Sequence, residues 1–66
     1  MRLMVNGAAR AVDEVIDVAG LVAQLTVAER GVAVAVNGEV VPRSRWAAMV
    51  LCDGDRVEIL TAAQGG

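Results

Sequence analysis

The sequence of 66 residues is 56% hydrophobic with one aromatic side chain and a net charge of −2, and it is too short to enclose both a core and a drug-sized pocket of roughly 300–1,000 Å³. With no histidine and no visibly activated Ser or Cys, we expect a protein that is not an enzyme and holds no cofactor. The basic residues are scattered arginines and no segment approaches the ~20 apolar residues of a membrane span, so we expect neither nucleic acid nor a membrane as a partner.

The first elements form a predicted hairpin followed by a helix. Residues 2–6 alternate in hydropathy, and Asn6-Gly7 is typical of a two-residue type I′ turn that leads into a second strand over 9–12. Asp17 can cap a helix over about 17–26, whose apolar stripe consists of Val18, Leu21, Val22 and Leu25. Gly20 costs roughly 1 kcal/mol against Ala inside a helix, so this helix is expected to depend on packing.

The second half alternates between strands and turns. Val32, Val34 and Val36 predict the central strand, and the alanines between them indicate that its second face is also covered. Asn37-Gly38 predicts another turn, and a short strand over 39–41 ends where Pro42 removes an amide hydrogen.

The remaining residues predict a crossing, a turn and a last strand. Residues 43–50 are expected to cross irregularly with one helical turn, Asp53-Gly54-Asp55 to turn, and residues 56–60 to form the last strand. One helix packed across one mixed sheet of four to five strands is an α+β fold, and it allows the first and last strands to pair in parallel. We predict a domain over 1–60 and a flexible C-terminal tail over 61–66.

The tail ends in Gly65-Gly66, which suits a carrier of acyl groups. Glycine lacks a Cβ, so such a pair can thread a narrow channel and bring the α-carboxylate to a nucleotide in a partner enzyme. A carboxylate is a poor electrophile, and the simplest activation is a mixed anhydride with AMP. Alternatively the glycines are incidental, since small residues end many chains whose termini fray.

Several motifs occur together along the chain: the run Val-Asn-Gly-Glu-Val-Val-Pro-Arg over 36–43, then Trp46, then Leu-Cys-Asp-Gly-Asp over 51–55, and the terminal glycines. This combination resembles the ThiS family of sulfur carriers, which are β-grasp proteins related to ubiquitin. The match runs over essentially the whole chain. Gly20 and Cys52 depart from the usual pattern of the family without touching the tail.

The resemblance implies a function in thiamine biosynthesis. A ubiquitin-activating-type adenylating enzyme (ThiF-like) would use ATP to adenylate Gly66, and a sulfur donor such as a cysteine desulfurase or a rhodanese-like sulfurtransferase would supply the sulfur of a thiocarboxylate. Thiazole synthase (ThiG-like) would then receive that sulfur. Gly65, Gln64 and Ala63 would thread the partner active sites. Leu60 would lie on the outer face of the last strand, opposite to Val57 and Ile59, and dock the adenylating enzyme.

Two rival functions stay open at this point. One is a sulfur carrier of another cofactor pathway, of the molybdopterin synthase small-subunit type, although that family usually has an aromatic-proline tail before the glycines. The other is a non-catalytic β-grasp interaction module.

The lone Cys52 excludes an internal disulfide and fits a cytoplasmic location.

Three other features have ordinary structural explanations. Cys52 is interpreted as an incidental small residue, and Trp46 as core packing. The acidic residues Asp53, Asp55 and Glu58 are interpreted as turn chemistry instead of a metal site.

Overall fold

The computed structural model describes residues 1–26 and 30–62. Along the chain its elements are β1 (Arg2–Val5), β2 (Ala8–Ala11), α1 (Val18–Leu25), β3 (Val32–Val36), β4 (Glu39–Val41), a 3₁₀ helix (Arg43–Ala48) and β5 (Arg56–Thr61). The predicted order of elements is confirmed. β2 begins and ends one residue earlier than predicted, and β5 continues one residue beyond its predicted end.

The five strands form one mixed sheet in the order β2-β1-β5-β3-β4. β1 and β5 pair in parallel, as predicted, whereas all other pairs are antiparallel. The prediction that β3 is the central strand was wrong, because the parallel pairing inserts β5 between β1 and β3 and places β5 at the centre. β5 therefore has β1 beside it at Arg56 and Val57, and β3 beside it from Val57 to Thr61.

The core lies between the sheet and α1, and most of its members are aliphatic. Val34 and Val36 of β3 point into it, as do Val57 and Ile59 of β5. On the other face, Ala33 is exposed and Ala35 is only half-buried, so the prediction of a second covered face was wrong. The physical reason is that the described residues contain one α-helix, and a single α-helix can cover only one side of the sheet.

Helix α1 begins as the sequence predicts, and its glycine has a packing reason. The Asp17 carboxylate accepts a hydrogen bond from the Gly20 amide at 2.7 Å, which caps the helix. A Cβ on Gly20 would lie 3.0 Å from Cγ1 of Ile16 and 3.3 Å from the capping oxygen. The glycine therefore allows Ile16 and the cap to approach the first turn.

Among residues 1–26 and 30–62, no helix is long and apolar enough to cross a membrane.

The 3₁₀ helix contributes Trp46 to the core. Trp46 is buried, its indole Nε1 donates to the carbonyl of Val41 at 2.9 Å, and the Arg43 guanidinium lies 5.3 Å from the centre of its ring. The interpretation of Trp46 as core packing is confirmed.

Candidate functional site

The chain leaves the sheet at the end of β5, and we call residues 60–62 the tail root. Thr61 still pairs with Val32, and the Ala62 amide donates to the carbonyl of Gly31 at 2.6 Å. Pairing with β3 and the hydrogen bond to Gly31, the residue directly before β3, thus hold the backbone of the tail root up to Ala62. The predicted site residues Gly66, Gly65, Gln64 and Ala63 lie outside the described residues, and the predicted boundary between domain 1–60 and tail 61–66 stays a prediction.

Leu60 lies where the sequence predicts it. Its side chain is 70% exposed, whereas Val57 and Ile59 are buried on the helix side of the same strand. Successive strand residues point to opposite faces, so Leu60 projects from the uncovered face of the sheet, one residue before the strand ends. Its role in docking stays a prediction.

Leu60 belongs to a group of apolar residues on the uncovered face, which we call the open-face patch. The patch consists of Ala33, Ala35, Val40 and Leu60. Ala33 pairs with Leu60 and Ala35 pairs with Val40, so the four residues occupy three neighbouring strands. Val40 is 79% exposed. Glu58 is also exposed on this face and pairs with Ala35, so it borders the patch. Exposed apolar side chains on neighbouring strands are typical of protein interaction sites.

Gly31 holds the tail root and was missed by sequence reasoning. Its φ of +68° is in the left-handed region, and a Cβ there would lie 3.0 Å from the Cβ of Ala62. Gly31 therefore combines a backbone that favours glycine with a close approach to the last described residue. The sequence signal was a glycine directly before a strand, which by itself indicates only a turn.

Asn6 contacts the same strand from the other side, and the sequence indicated only its turn. Its side-chain amide donates to the carbonyl of Ile59 at 3.1 Å, and its side-chain oxygen accepts from the amide of Ile59 at 2.8 Å. Asn6 has a φ of 50° and lies in the turn between β1 and β2, as predicted. One side chain thus satisfies both backbone groups of a residue 53 positions away.

The start of β5 is organised by the acidic turn. The Asp53 carboxylate accepts from the Arg2 amide at 2.7 Å, and the Asp55 carboxylate accepts from the Cys52 amide at 2.8 Å and from the Asn37 side chain at 2.9 Å. Among the described residues, no cluster of His, Cys, Asp or Glu could hold a metal ion. Asp55 thus closes the turn through the Cys52 amide, whereas Asp53 and Asp55 also join the turn to Arg2 and Asn37.

An open cleft of about 390 Å³ lies beside the tail root on the helix side. Asn6, Arg10, Leu25, Thr26 and Thr61 are among the residues that line it. Among the described residues that line it, only Arg10 has a charged side chain. The lining that the structure describes thus offers no pair of groups for acid–base chemistry.

Comparison with known proteins decides the family. The model of the ThiS family matches residues 3–66. The chain belongs to the ThiS family. The family resemblance of the sequence motifs is confirmed, and the match includes the two terminal glycines as well as the strands that hold the tail root.

Two curated relatives carry informative names. The chain is 39% identical over 66 residues to the thiazole synthase of Paramagnetospirillum magneticum, of which it covers 20%. It is 37% identical over 46 residues to the sulfur carrier protein ThiS of Escherichia coli, and this alignment covers 70% of each chain. The chain thus spans about a fifth of the first relative and most of the second.

Solved structures of a ThiS-family protein confirm the fold. The crystal structure of the thiamine biosynthesis protein ThiS of Geobacter metallireducens has a TM-score of 0.81 and 42% identity, with 92% of this chain and 93% of that chain covered. A solution structure from the same organism gives a TM-score of 0.78 and 43% identity, with 91% and 81% covered. The predicted β-grasp architecture of the α+β class is therefore confirmed.

Proposed function

We propose that this ThiS-family chain is a sulfur carrier of thiamine biosynthesis, and that it acts as a substrate of its partner enzymes and not as a catalyst. The observation that carries the proposal is the family match through residue 66, which includes Gly65-Gly66. The Escherichia coli relative named sulfur carrier protein ThiS and the Geobacter protein named for thiamine biosynthesis support it. The absence of histidine from the sequence agrees with a carrier that leaves catalysis to others.

The chemistry takes place on the α-carboxylate of Gly66. An adenylating enzyme of the ubiquitin-activating type joins a carboxylate oxygen to the α-phosphorus of ATP, and pyrophosphate leaves. Hydrosulfide then attacks the acyl carbon, so that a C–S bond forms, the C–O bond to AMP breaks and AMP leaves. The single proton of hydrosulfide is released to solvent or to a partner group, no electrons are exchanged, and the net result is a thiocarboxylate. Gly65, Gln64 and Ala63 thread the narrow approach to the partner active site, where the lack of a Cβ on glycine reduces steric conflict.

The adenylating enzyme docks on the open-face patch. Leu60 is highly exposed for a leucine, its pairing partner Ala33 lies on β3, and the exposed Val40 lies one strand further on β4. Apolar side chains at the centre of an interface contribute much of its binding energy when they are desolvated. The patch ends directly at the tail root, so docking there brings the tail towards the partner active site.

Thiazole synthase receives the sulfur. A region similar to this chain makes up about a fifth of the Paramagnetospirillum protein named thiazole synthase. Joining two proteins in one polypeptide raises their effective concentration, which suits a carrier and the enzyme that it supplies. This relative favours the thiazole pathway over the molybdopterin pathway and over a simple interaction module.

Intact-mass spectrometry tests the proposal. The protein is incubated with a ThiF-like adenylating enzyme, ATP and sulfide, beside a variant that lacks Gly66. We expect a mass gain equal to the replacement of one oxygen by sulfur in the full chain and no gain in the variant. An unchanged full chain, with an enzyme that modifies another ThiS protein in parallel, would contradict the proposal.

A further inference from the structure

β5 loses its neighbour on the β1 side before it reaches the tail root. The parallel pairing covers only Met4 with Arg56 and Val5 with Val57, and the last backbone bond on this side runs from the Asn6 amide to the Val57 carbonyl at 2.9 Å. The chain then turns away through Asn6 and Gly7, whose φ values are 50° and 83°. From Glu58 onward, the ladder to β3 holds β5 by itself among the strands.

The Asn6 side chain takes the place of the missing strand at Ile59. Its amide nitrogen and oxygen bind the Ile59 carbonyl and amide at 3.1 and 2.8 Å, the pair of bonds that a neighbouring strand would otherwise make. The Ile59 side chain is buried, so these backbone groups lie at the edge of the core, where an unmade hydrogen bond is costly. Ile59 directly precedes the tail root. The backbone of Ile59, the residue before Leu60, is thus bonded by the Asn6 side chain on one side and flanked by β3 on the other.

Asn37 provides a natural comparison at the opposite end of the same strand. It also precedes a glycine in a turn and has a φ of 51°. Its side-chain oxygen accepts from the Arg56 amide at 2.9 Å, and its amide nitrogen donates to Asp55 at 2.9 Å. The two asparagines therefore share backbone geometry and the number of these side-chain bonds. They differ in which end of β5 they hold.

We propose that Asn6 is a positioning residue for sulfur loading, which fixes the end of β5 so that Leu60 and the attached tail are presented to the adenylating enzyme in one geometry. This assignment rests on the proposed function. Without the two hydrogen bonds from the Asn6 side chain, the end of β5 populates more conformations, and only a fraction of them can dock to the adenylating enzyme. The apparent affinity for the partner falls in proportion to that fraction, whereas the reaction of the docked complex is unchanged.

The test compares Asn6→Gly with Asn37→Gly. Glycine tolerates positive φ, so each variant removes side-chain hydrogen bonds without adding backbone strain. Steady-state adenylation is measured with a ThiF-like enzyme, ATP and increasing carrier, at a temperature where both variants are folded. For N6G we expect KM to rise about five- to tenfold with kcat unchanged, the range that one or two lost hydrogen bonds give. For N37G we expect wild-type KM and kcat.

A second readout follows the strand itself. Amide hydrogen exchange, measured without any partner, should be faster at Ile59 and Thr61 in N6G but not in N37G. Equal changes of KM in the two variants, or an unchanged KM in N6G, would overturn the role of Asn6 even though the carrier is loaded. Wild-type protein that is not adenylated would refute the proposed function and the role of Asn6 with it, so the two failures are distinguishable.

Discussion

Gly31 and Ala62 are in close contact where the chain leaves the sheet. The Gly31 carbonyl accepts the Ala62 amide hydrogen at an N–O distance of 2.6 Å, and a Cβ on Gly31 would lie 3.0 Å from the Cβ of Ala62. This pair is the last described contact before the glycine tail. The position of Ala62, the last described residue, therefore depends on a residue that precedes β3.

Replacing Gly31 with alanine should be more harmful than replacing Gly54. Both glycines have positive φ, but a Cβ on Gly54 would meet nothing within 4 Å. We expect Gly54→Ala to lose about 1–2 kcal/mol of unfolding free energy from the left-handed backbone alone. Gly31→Ala should lose more, because it also displaces Ala62. Urea denaturation measures the free energy of unfolding of both variants. Equal losses would show that the contact with Ala62 does not contribute to that free energy.

Val34→Asp should unfold the protein. Val34 is 2% exposed between the sheet and the helix, so the variant would bury a carboxylate without a partner at a cost of several kcal/mol, comparable to the whole stability of a small domain. Ala33→Asp is the matched control, since Ala33 is the exposed neighbour on the same strand. Circular dichroism during heating should give a cooperative transition for A33D and none for V34D. A cooperative wild-type transition in V34D would contradict the described core.

Removing the helix cap should cost about 1 kcal/mol. Asp17→Ala deletes the oxygen that accepts from Gly20, whereas Asp17→Asn keeps a capping oxygen. We expect D17A to unfold at lower urea concentration than wild type, and D17N to stay near wild type. If both variants are destabilised equally, the carboxylate acts through its charge and not as a cap.

Leu60→Glu should block loading of the carrier without unfolding it. Leu60 is 70% exposed, so the domain tolerates a polar side chain there, but a carboxylate in the open-face patch would be desolvated when the adenylating enzyme docks. We expect kcat/KM for adenylation to fall by at least about tenfold. Val15→Glu is the control, because Val15 is 78% exposed and lies outside the patch. Equal activity of the two variants would remove Leu60 from the docking surface.

Local sequence patterns predicted most of the elements. The alternating valines of β3, the Asn-Gly turns and the Asp17 cap depend on interactions within a few residues, and each was found where the sequence indicated. The resemblance to the ThiS family implied that Leu60 lies on the outer face, and the alternation of burial along β5 agrees with that position. These features need no knowledge of distant contacts.

Long-range contacts decided what the sequence did not predict. The central position of β5 follows from its parallel pairing with β1, and the exposure of Ala33 follows from how much sheet a single helix can cover. The roles of Asn6 and Gly31 depend on Ile59 and Ala62, which are far away along the chain. Turn propensity explains why these two residues are asparagine and glycine, but it does not reveal the strand that they contact.

The most direct test of the account locates the added sulfur. After incubation with adenylating enzyme, ATP and sulfide, fragmentation mass spectrometry of the intact chain shows whether the fragment that contains Gly66 has exchanged one oxygen for sulfur, and the Cys52→Ser variant tests whether the exposed thiol of Cys52 takes part. We predict that the sulfur lies in the fragment that contains Gly66 and that Cys52→Ser is loaded normally. A Gly66 fragment that stays unmodified, or a C52S variant that is not loaded, would contradict the central claim.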